Sequence, residues 1–505
     1  MSGTLVRTIS ALSAANYGVN IQEIQPAGAV QGVGSNVVAI VGEFPWGPAD
    51  EVTTISSPEE LFETFAPREF ENLDDFPALK AFLGKRFPVI SIVRVGATGQ
   101  ATSAKTFVDD LAADSVDVTA KHPGGSGDLI SAAWSVNADD ADARDLTIAI
   151  GSTYSRTYLA VATTTPLAIV DPGDPFVDVV ANGSFVDVPV VIAATLLTGG
   201  SDGNAVALDY TGSIASDKGI RKFYGENVAV GVLFVAECPT SLLDVVNTAI
   251  EAYAVEANKG VAVLCTVAAQ SKTDALTYIV DYRDDRLSYH WPRVKIANAF
   301  DPDQPVVVVD GNAFAASVIS QVDPEVSPGG PRRSEFLNGI LDLEDNSATD
   351  SDLNALNAAG IAPWFNVTGR GMIIRRGITT SLVVGQTRIA RRRMTDFILN
   401  SIASRLQDFI EEPLDLTLSP PALGVVTGPE IGEINAFLEG LQDANRIGIF
   451  PDQEVGFNVD PFSANTQSAI DAGIWKILAA VKLLSAQDVV ILQGEIGEFV
   501  TVTEQ

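Results

Sequence analysis

The chain has 505 residues and carries 64 acidic against 32 basic side chains, a formal charge of −32. That length suffices for about two to four domains with substantial cores, and the charge repels nucleic-acid phosphates and anionic membranes, which argues against a DNA-coating role. Apolar residues make up 46% and aromatic residues 7%, so an aliphatic interior is expected; no apolar run approaches the roughly 18 residues of a membrane helix, so no membrane insertion is expected.

The first residues, MSGTLVRTISALSAANYGV, hold one Arg and no continuous apolar block. They lack the layout of a secretory signal, and a protein used without export through a signal peptide is expected. The piece TLVRTIS alternates, so Leu5, Val6, Arg7, Thr8 and Ile9 form a free edge strand that is either disordered or borrowed by a neighbour.

After YGVNIQEI (17–24), an apolar strand, Val37–Val41, runs into Gly42, with Gly47 five positions on. This looks like a strand feeding a phosphate loop. Such a loop needs free backbone N–H groups, and here Pro45 and Pro48 remove two donors while Trp46 fills the place of a phosphate. A turn is therefore expected. QGVGSN precedes the strand instead of following it, and no GxxxxGK[ST] occurs.

Ser57, Pro58, Glu59 and Glu60 spell a capped helix start, with Glu60 placed to reach back as a capping box. LDDFPALKAFLGK (73–85) reads as a short helix and PVISIVRVG (88–96) as a strand. Residues 105–198 change character: DLTIAI, TYLAVAT, FVDVVA and VPVVIAA are separated by Gly, Pro and Asp turns, which predicts an all-β unit. Its thirteen Asp, no Glu and four basic residues suit a solvated outer domain. From 227 to 321, apolar strands alternate with helical runs, which predicts a parallel, helix-covered α/β sheet.

LEDNSATDSD (343–352) reads as an acidic loop without the spacing of a calcium loop. From Thr387 to Glu412, Met394, Phe397, Ile398, Ile402, Leu406, Phe409 and Ile410 share a helical face. TQSAIDAGIWKILAAVKLL (466–484) is expected to be helical and VVILQ (489–493) a strand. The chain finishes in EFVTVTEQ, where Phe499 and Thr501 alternate with Val500 and Val502: a second free strand.

Catalytic chemistry has few places to reside. Of two histidines, His122 sits in the turn AKHPGGSGD and His290 in SYHWPRV at the head of a strand; the GxSxG spacing occurs only in the glycine-rich turn GGSDG (199–203), which does not read as an elbow, and HExxH is absent. Cys238 and Cys265 lie in apolar, strand-like contexts and read as reduced core thiols. One polar feature stands out. Arg370, Arg375, Arg376, Arg388, Arg391, Arg392 and Arg393 fall in a stretch with no acidic residue, a local +7. Either the protein's own acids, such as Glu411, Glu412 and Asp415, neutralise it, or it is a docking surface for an acidic partner, including another copy of the chain.

An ordered set of segments resembles the contractile tail sheath proteins of bacteriophages and related injection machines. At the front is YGVNIQEIQPAGAVQGVGSNVVAIVGEFPWGPADEVTTISSPEELFETF, then FPALKAFLGKRFPVISIVRV, AKHPGGSGD (with Asp128 where the family has Asn) and LTGGSDGN (197–204). SYHWPRV, LNAAGIAPWFNVTGRGMIIRRGITT and RIARRRMTDFILNSIASRLQDFIEEP follow in the family's order. The resemblance implies an α/β and α+β multidomain fold. Its parts are an N-terminal arm (1–20), a subtilisin-like α/β core (21–104 and 199–360), an inserted β-rich outer domain (105–198), a tube-facing α+β domain (361–494) and a C-terminal arm (495–505).

It further implies a structural subunit that polymerises as stacked hexameric rings around a tail tube and contracts for genome ejection. The expected setting is a virion assembled in the host cytoplasm. The partners are other copies, the tube, the baseplate and a terminator protein, with no direct nucleic acid. The arms would add strands to neighbouring sheets, a β-augmentation, and the seven arginines would dock the tube or a neighbour. It carries over no catalytic residue, metal or cofactor. The competing readings are a hydrolase-like enzyme on the 227–321 sheet using His290, and a non-contractile shell or tube protein.

Overall fold

The computed structural model describes residues 36–70, 80–83, 86–183, 185–225, 231–257, 260–297, 305–337, 339–451 and 453–485. The end strands around Leu5 to Ile9 and Phe499 to Val502, the stretch YGVNIQEI, most of LDDFPALKAFLGK and the run VVILQ lie outside the described residues. The described residues form two compact units, one of 36–401 with 446–448 and 482–485, the other of Ile402–Asn445 with Ile449–Val481. This is a mixed α/β protein of several sheets.

In the larger unit, a six-stranded sheet runs in the order Leu287–Ser288, Val261–Val263, Val232–Val235, Val37–Gly42, Val89–Arg94, Val52–Ile55, parallel except for the last strand. Both faces are covered, which is why these strands read as unbroken apolar runs. Val38, Ile40, Val232 and Phe234 face helix Asn312–Gln321, while Ala39, Val41, Leu233 and Val235 face helix Leu243–Glu256. Every residue of Asn312–Gln321 is buried. This helix shares one buried core with Val294, Ile296, Val309 and Leu343 of the antiparallel sheet Val306–Val309, Val294–Ala297, Ile340–Leu343.

Local signals set several boundaries. Ser57 Oγ accepts the N–H of Glu60 at 3.1 Å, and Pro58 starts helix Pro58–Phe65. The Glu60 carboxylate reaches back one residue further than expected, taking the N–H of Ser56 at 2.8 Å. The acidic loop is shorter than expected. Thr349 and Asp352 cap each other's N–H groups, at 3.3 and 2.9 Å, and open helix Asp350–Ala358.

The β-rich run forms two antiparallel sheets, Val177–Ala181, Asp114–Ala120, Ala104–Val108 and Ile192–Leu196, Ile130–Val136, Ala143–Ile150, Tyr154–Thr164, Leu167–Ile169, around a core that includes Trp134, Leu146, Ile148 and Val118. The chain enters and leaves through a paired neck, where Thr98, Ala101 and Ala104 bridge Asn204, Ser201 and Thr198.

In the smaller unit, Ile431, Ile434, Leu438 and Leu441 on helix Thr427–Asp443 are buried. Residues 466–484 are not one helix. Helix Gln467–Asp471 ends before Gly473, whose φ is +74°, and Leu478–Val481 then pairs with Phe457–Asp460. The left-handed glycine stops the helix, and Trp475 Nε1 donates to the Pro461 carbonyl at 3.1 Å, turning the chain into the hairpin. The expected helical face ends early as well. Met394, Phe397, Ile398 and Ile402 are buried on helix Ile389–Leu406, but Gln407–Phe409 tightens to a 3₁₀ turn, which shifts the register and leaves Ile410 67% exposed.

Candidate functional site

The turn after Val37–Gly42 is organised by a cation. Arg94, from the neighbouring strand, donates from Nε to Phe44 O at 2.7 Å, from Nη1 to Gly47 O at 2.8 Å and from Nη2 to Pro123 O at 2.7 Å. Burial pulls this guanidinium down to about 10, against the opposing pull of Asp202. Trp46 is buried against Phe70, His122 and Phe176. Converging carbonyls are the opposite polarity from an anion-binding nest, so the segment is a turn and no phosphate loop. The two Gly-rich turns meet beside it. Asp128 Oδ1 accepts from Ser103 Oγ at 2.7 Å and Gly200 N at 2.9 Å, and Asp202 Oδ1 accepts from Gly125 N at 3.0 Å.

The histidine-based reading meets a sealed interior. His290 Nε2 lies 2.9 Å from Ser288 Oγ, and both residues are wholly buried. The Ser288 hydroxyl also lies 3.3 Å from Ile378 O, so it has a backbone carbonyl as well as the ring to bond. Burial pushes His290 down to about 3, and its Nδ1 has no partner among the described residues, so no carboxylate orients it.

At the carboxyl edge of the parallel sheet, Glu237 has φ +46° and lies 3.6 Å from Arg293. Burial, reinforced by Asp310, raises Glu237 to about 7. Asp310 is itself buried and takes the N–H groups of Thr266 and Asn312 at 2.8 and 3.1 Å. Cys238 and Cys265 are free thiols. No group of three or more metal-ligating side chains occurs among the described residues.

The seven arginines divide into two kinds. Arg393 is buried and donates to Val322 O at 3.0 Å and Asp323 O at 3.3 Å; burial pulls it to about 10 against Glu325 and Asp323. Arg392 pairs with Asp396 at 2.6 Å and Asp285 at 3.2 Å, while Asp396 also takes a two-pronged bond from buried Arg286 at 2.7 and 2.8 Å. Arg375 reaches Asp350 at 3.3 Å and lies over the Phe365 ring.

Of the others, Arg376, Arg388 and Arg391 are half-buried, and Arg391 donates to Ser485 Oγ at 2.5 Å. Arg370 is exposed, and among the described residues neither it nor Arg376 has an ion-pair partner. Beside them Leu382, Val383 and Val384 project as an exposed apolar tip. The neutralising acids are thus Asp285, Asp396 and Asp350. Asp415 instead caps the start of helix Thr427–Asp443 through the N–H groups of Val426 and Thr427.

The sequence matches no family profile and no curated protein. Solved structures do resemble it over most of its length. A sheath tail protein from Listeria innocua is 16% identical, with a TM-score of 0.60 over 90% of this chain and 96% of its own. One from Desulfitobacterium hafniense is 15% identical, with a TM-score of 0.59 over 88% and 93%. The contracted helical sheath of the anti-feeding prophage is 15% identical, with a TM-score of 0.55 over 96% and 99%. The chain therefore has the fold of a contractile tail-sheath protein. The solved structures that share it are sheath tail proteins and a helical sheath in its contracted state.

Proposed function

We propose that the chain is the sheath subunit of a contractile phage tail, polymerising as stacked six-membered rings around an inner tube and shortening to drive that tube through a host envelope for genome ejection. The observation that carries this reading is the sheath fold over nearly the whole chain, including a likeness to a sheath in its contracted state. Head-to-tail contacts between copies generate such rings and helices. Free strands at Leu5–Ile9 and Phe499–Val502 supply main-chain bonds to a neighbour's sheet edge, and multivalent linkage keeps the mesh connected while the bodies rotate.

Arg370 and Arg376, which have no ion-pair partner among the described residues, lead the docking face for the tube or a neighbouring copy. Baseplate and terminator proteins bound the polymer at its two ends, and assembly takes place in the host cytoplasm. A second reading, the sheath of an injection device and not of a virus, draws on the likeness to the anti-feeding prophage sheath.

Electron microscopy of the purified chain tests the common core of both readings. Wide hollow cylinders with helical striation are expected. A chain that remains monomeric or forms only amorphous aggregate across concentration and salt overturns it. Truncation of residues 1–16, or termination after Gly497, is expected to leave a folded monomer without cylinders.

A further inference from the structure

In the smaller unit, a cavity of about 550 Å³ has Phe409, Trp475 and Ile477 in its walls. Glu430 reaches it from helix Thr427–Asp443 and is only 4% exposed. The neighbouring groups are already committed: Asp415 takes the N–H groups of Val426 and Thr427, and Glu433 pairs with Arg405 at 2.6 and 3.1 Å. Glu430 itself has no hydrogen-bond or ion-pair partner among the described residues. Burial, with Asp415 and Glu433 adding to it, raises its pKa. Glu411 and Glu412 line the same cavity from exposed positions, and no basic residue lines it.

A carboxylate held out of water without a partner is costly, and a cation arriving on an apolar stem removes that cost while it covers the walls. A hard metal ion is a poor match, since it needs several oxygen ligands and no group of three metal-ligating side chains occurs among the described residues. An organic cation needs only one buried carboxylate, and aromatic rings such as Phe409 and Trp475 favour its positive head. The exposed acids on the solvent side suit a second positive charge.

We propose that this cavity binds a linear alkyl diammonium, the chemical class of the polyamines, with one ammonium group against Glu430, the methylene chain along Phe409, Trp475 and Ile477, and the other ammonium group towards Glu411 and Glu412. The acidity of the chain as a whole does not create such a site. Solvated surface carboxylates hold ammonium groups weakly and lose them in salt, whereas water is largely excluded around Glu430. The site stands independently of the sheath reading, because it lies within one unit of one chain.

Titration of 1,6-diaminohexane into the full chain in physiological salt, below any assembly concentration, tests it by calorimetry and tryptophan emission. Of five tryptophans, Trp46, Trp134, Trp291 and Trp364 are fully buried, so an emission change reports the half-buried Trp475. Saturable binding with that change is expected. 1-Hexanol on the wild-type chain, and the diamine on Glu430→Gln, should each bind about tenfold more weakly or worse. Equal affinity for hexanol shows an apolar cavity only, and equal affinity of Glu430→Gln shows general attraction to an acidic surface; either result overturns the proposal, as does no binding. The comparison of the two ligands uses the unaltered chain, so a folding defect in the variant does not blunt it. Neither measurement depends on whether cylinders form.

Discussion

Arg94 Nη1 donates to the carbonyl of Gly47 across 2.8 Å of buried space, and this bond decides what the glycine-rich turn is for. Gly47 has φ +104°, and a Cβ there would lie 2.7 Å from the Thr64 carbonyl. Arg94→Met is expected to destabilise the larger unit by about 3 kcal/mol, since two buried carbonyls and one part-buried carbonyl lose their donor. Gly47→Ala is expected to cost about 1–3 kcal/mol through backbone strain. Urea denaturation checks both, and an unchanged midpoint for either would show that the turn is not held from within.

The split among the arginines gives opposite expectations for one substitution type. Asp396→Asn leaves Arg286 and Arg392 without their shared carboxylate and is expected to cost about 3–5 kcal/mol. Arg370→Glu with Arg376→Glu should shift stability by less than about 0.5 kcal/mol. If those two residues dock an acidic surface, the same pair raises the concentration needed for assembly or abolishes tube binding, read by co-sedimentation. Assembly indistinguishable from wild type would remove them from the interface.

Glu237 makes stability depend on pH with a definite sign. Its folded value, about 7, lies above the ordinary 4.5, so an unfolded chain releases this proton first. Stability from this group is complete below about pH 4.5 and is lost as pH rises through about 7. Glu237→Gln is therefore expected to stabilise the protein at pH 8 by about 1–2 kcal/mol, allowing for partial solvent access, and to leave it unchanged near pH 4. Thermal melts across that range check the crossover.

The histidines act in the reverse direction. Burial holds His290 near 3 and, with Arg94 and Lys121 contributing, His122 near 4. The unfolded chain binds their protons first, so their contribution is present above about pH 6.5 and is lost as pH falls. His290→Ala should cost about 2–3 kcal/mol by opening a cavity against Trp364 while sparing assembly. A hydrolytic activity abolished by this change, with stability intact, would restore the enzyme reading.

Much of the core was legible because a sheet covered on both faces writes itself as unbroken apolar runs. Val37–Val41 and the alternation from 227 to 321 are of that kind, and Ser57 with Pro58 marked a helix start. Interactions that depend on distant partners were not legible. Nothing local to Arg94 announces that Phe44, Gly47 and Pro123 will surround it, and the run 391–393 looks uniform although Arg393 is buried and Arg391 is not. Composition misled at 466–484, where Gly473 outweighed the apolar spacing. Glu430 left a faint trace: it falls on the stripe of Ile434, Leu438 and Leu441, a carboxylate where an aliphatic residue is expected.

The paired neck at Thr98–Ala104 and Thr198–Asn204, riveted by Arg94 and by the Asp128 and Asp202 turns, returns the β-rich run to the segment it left, so that its two ends are clamped side by side.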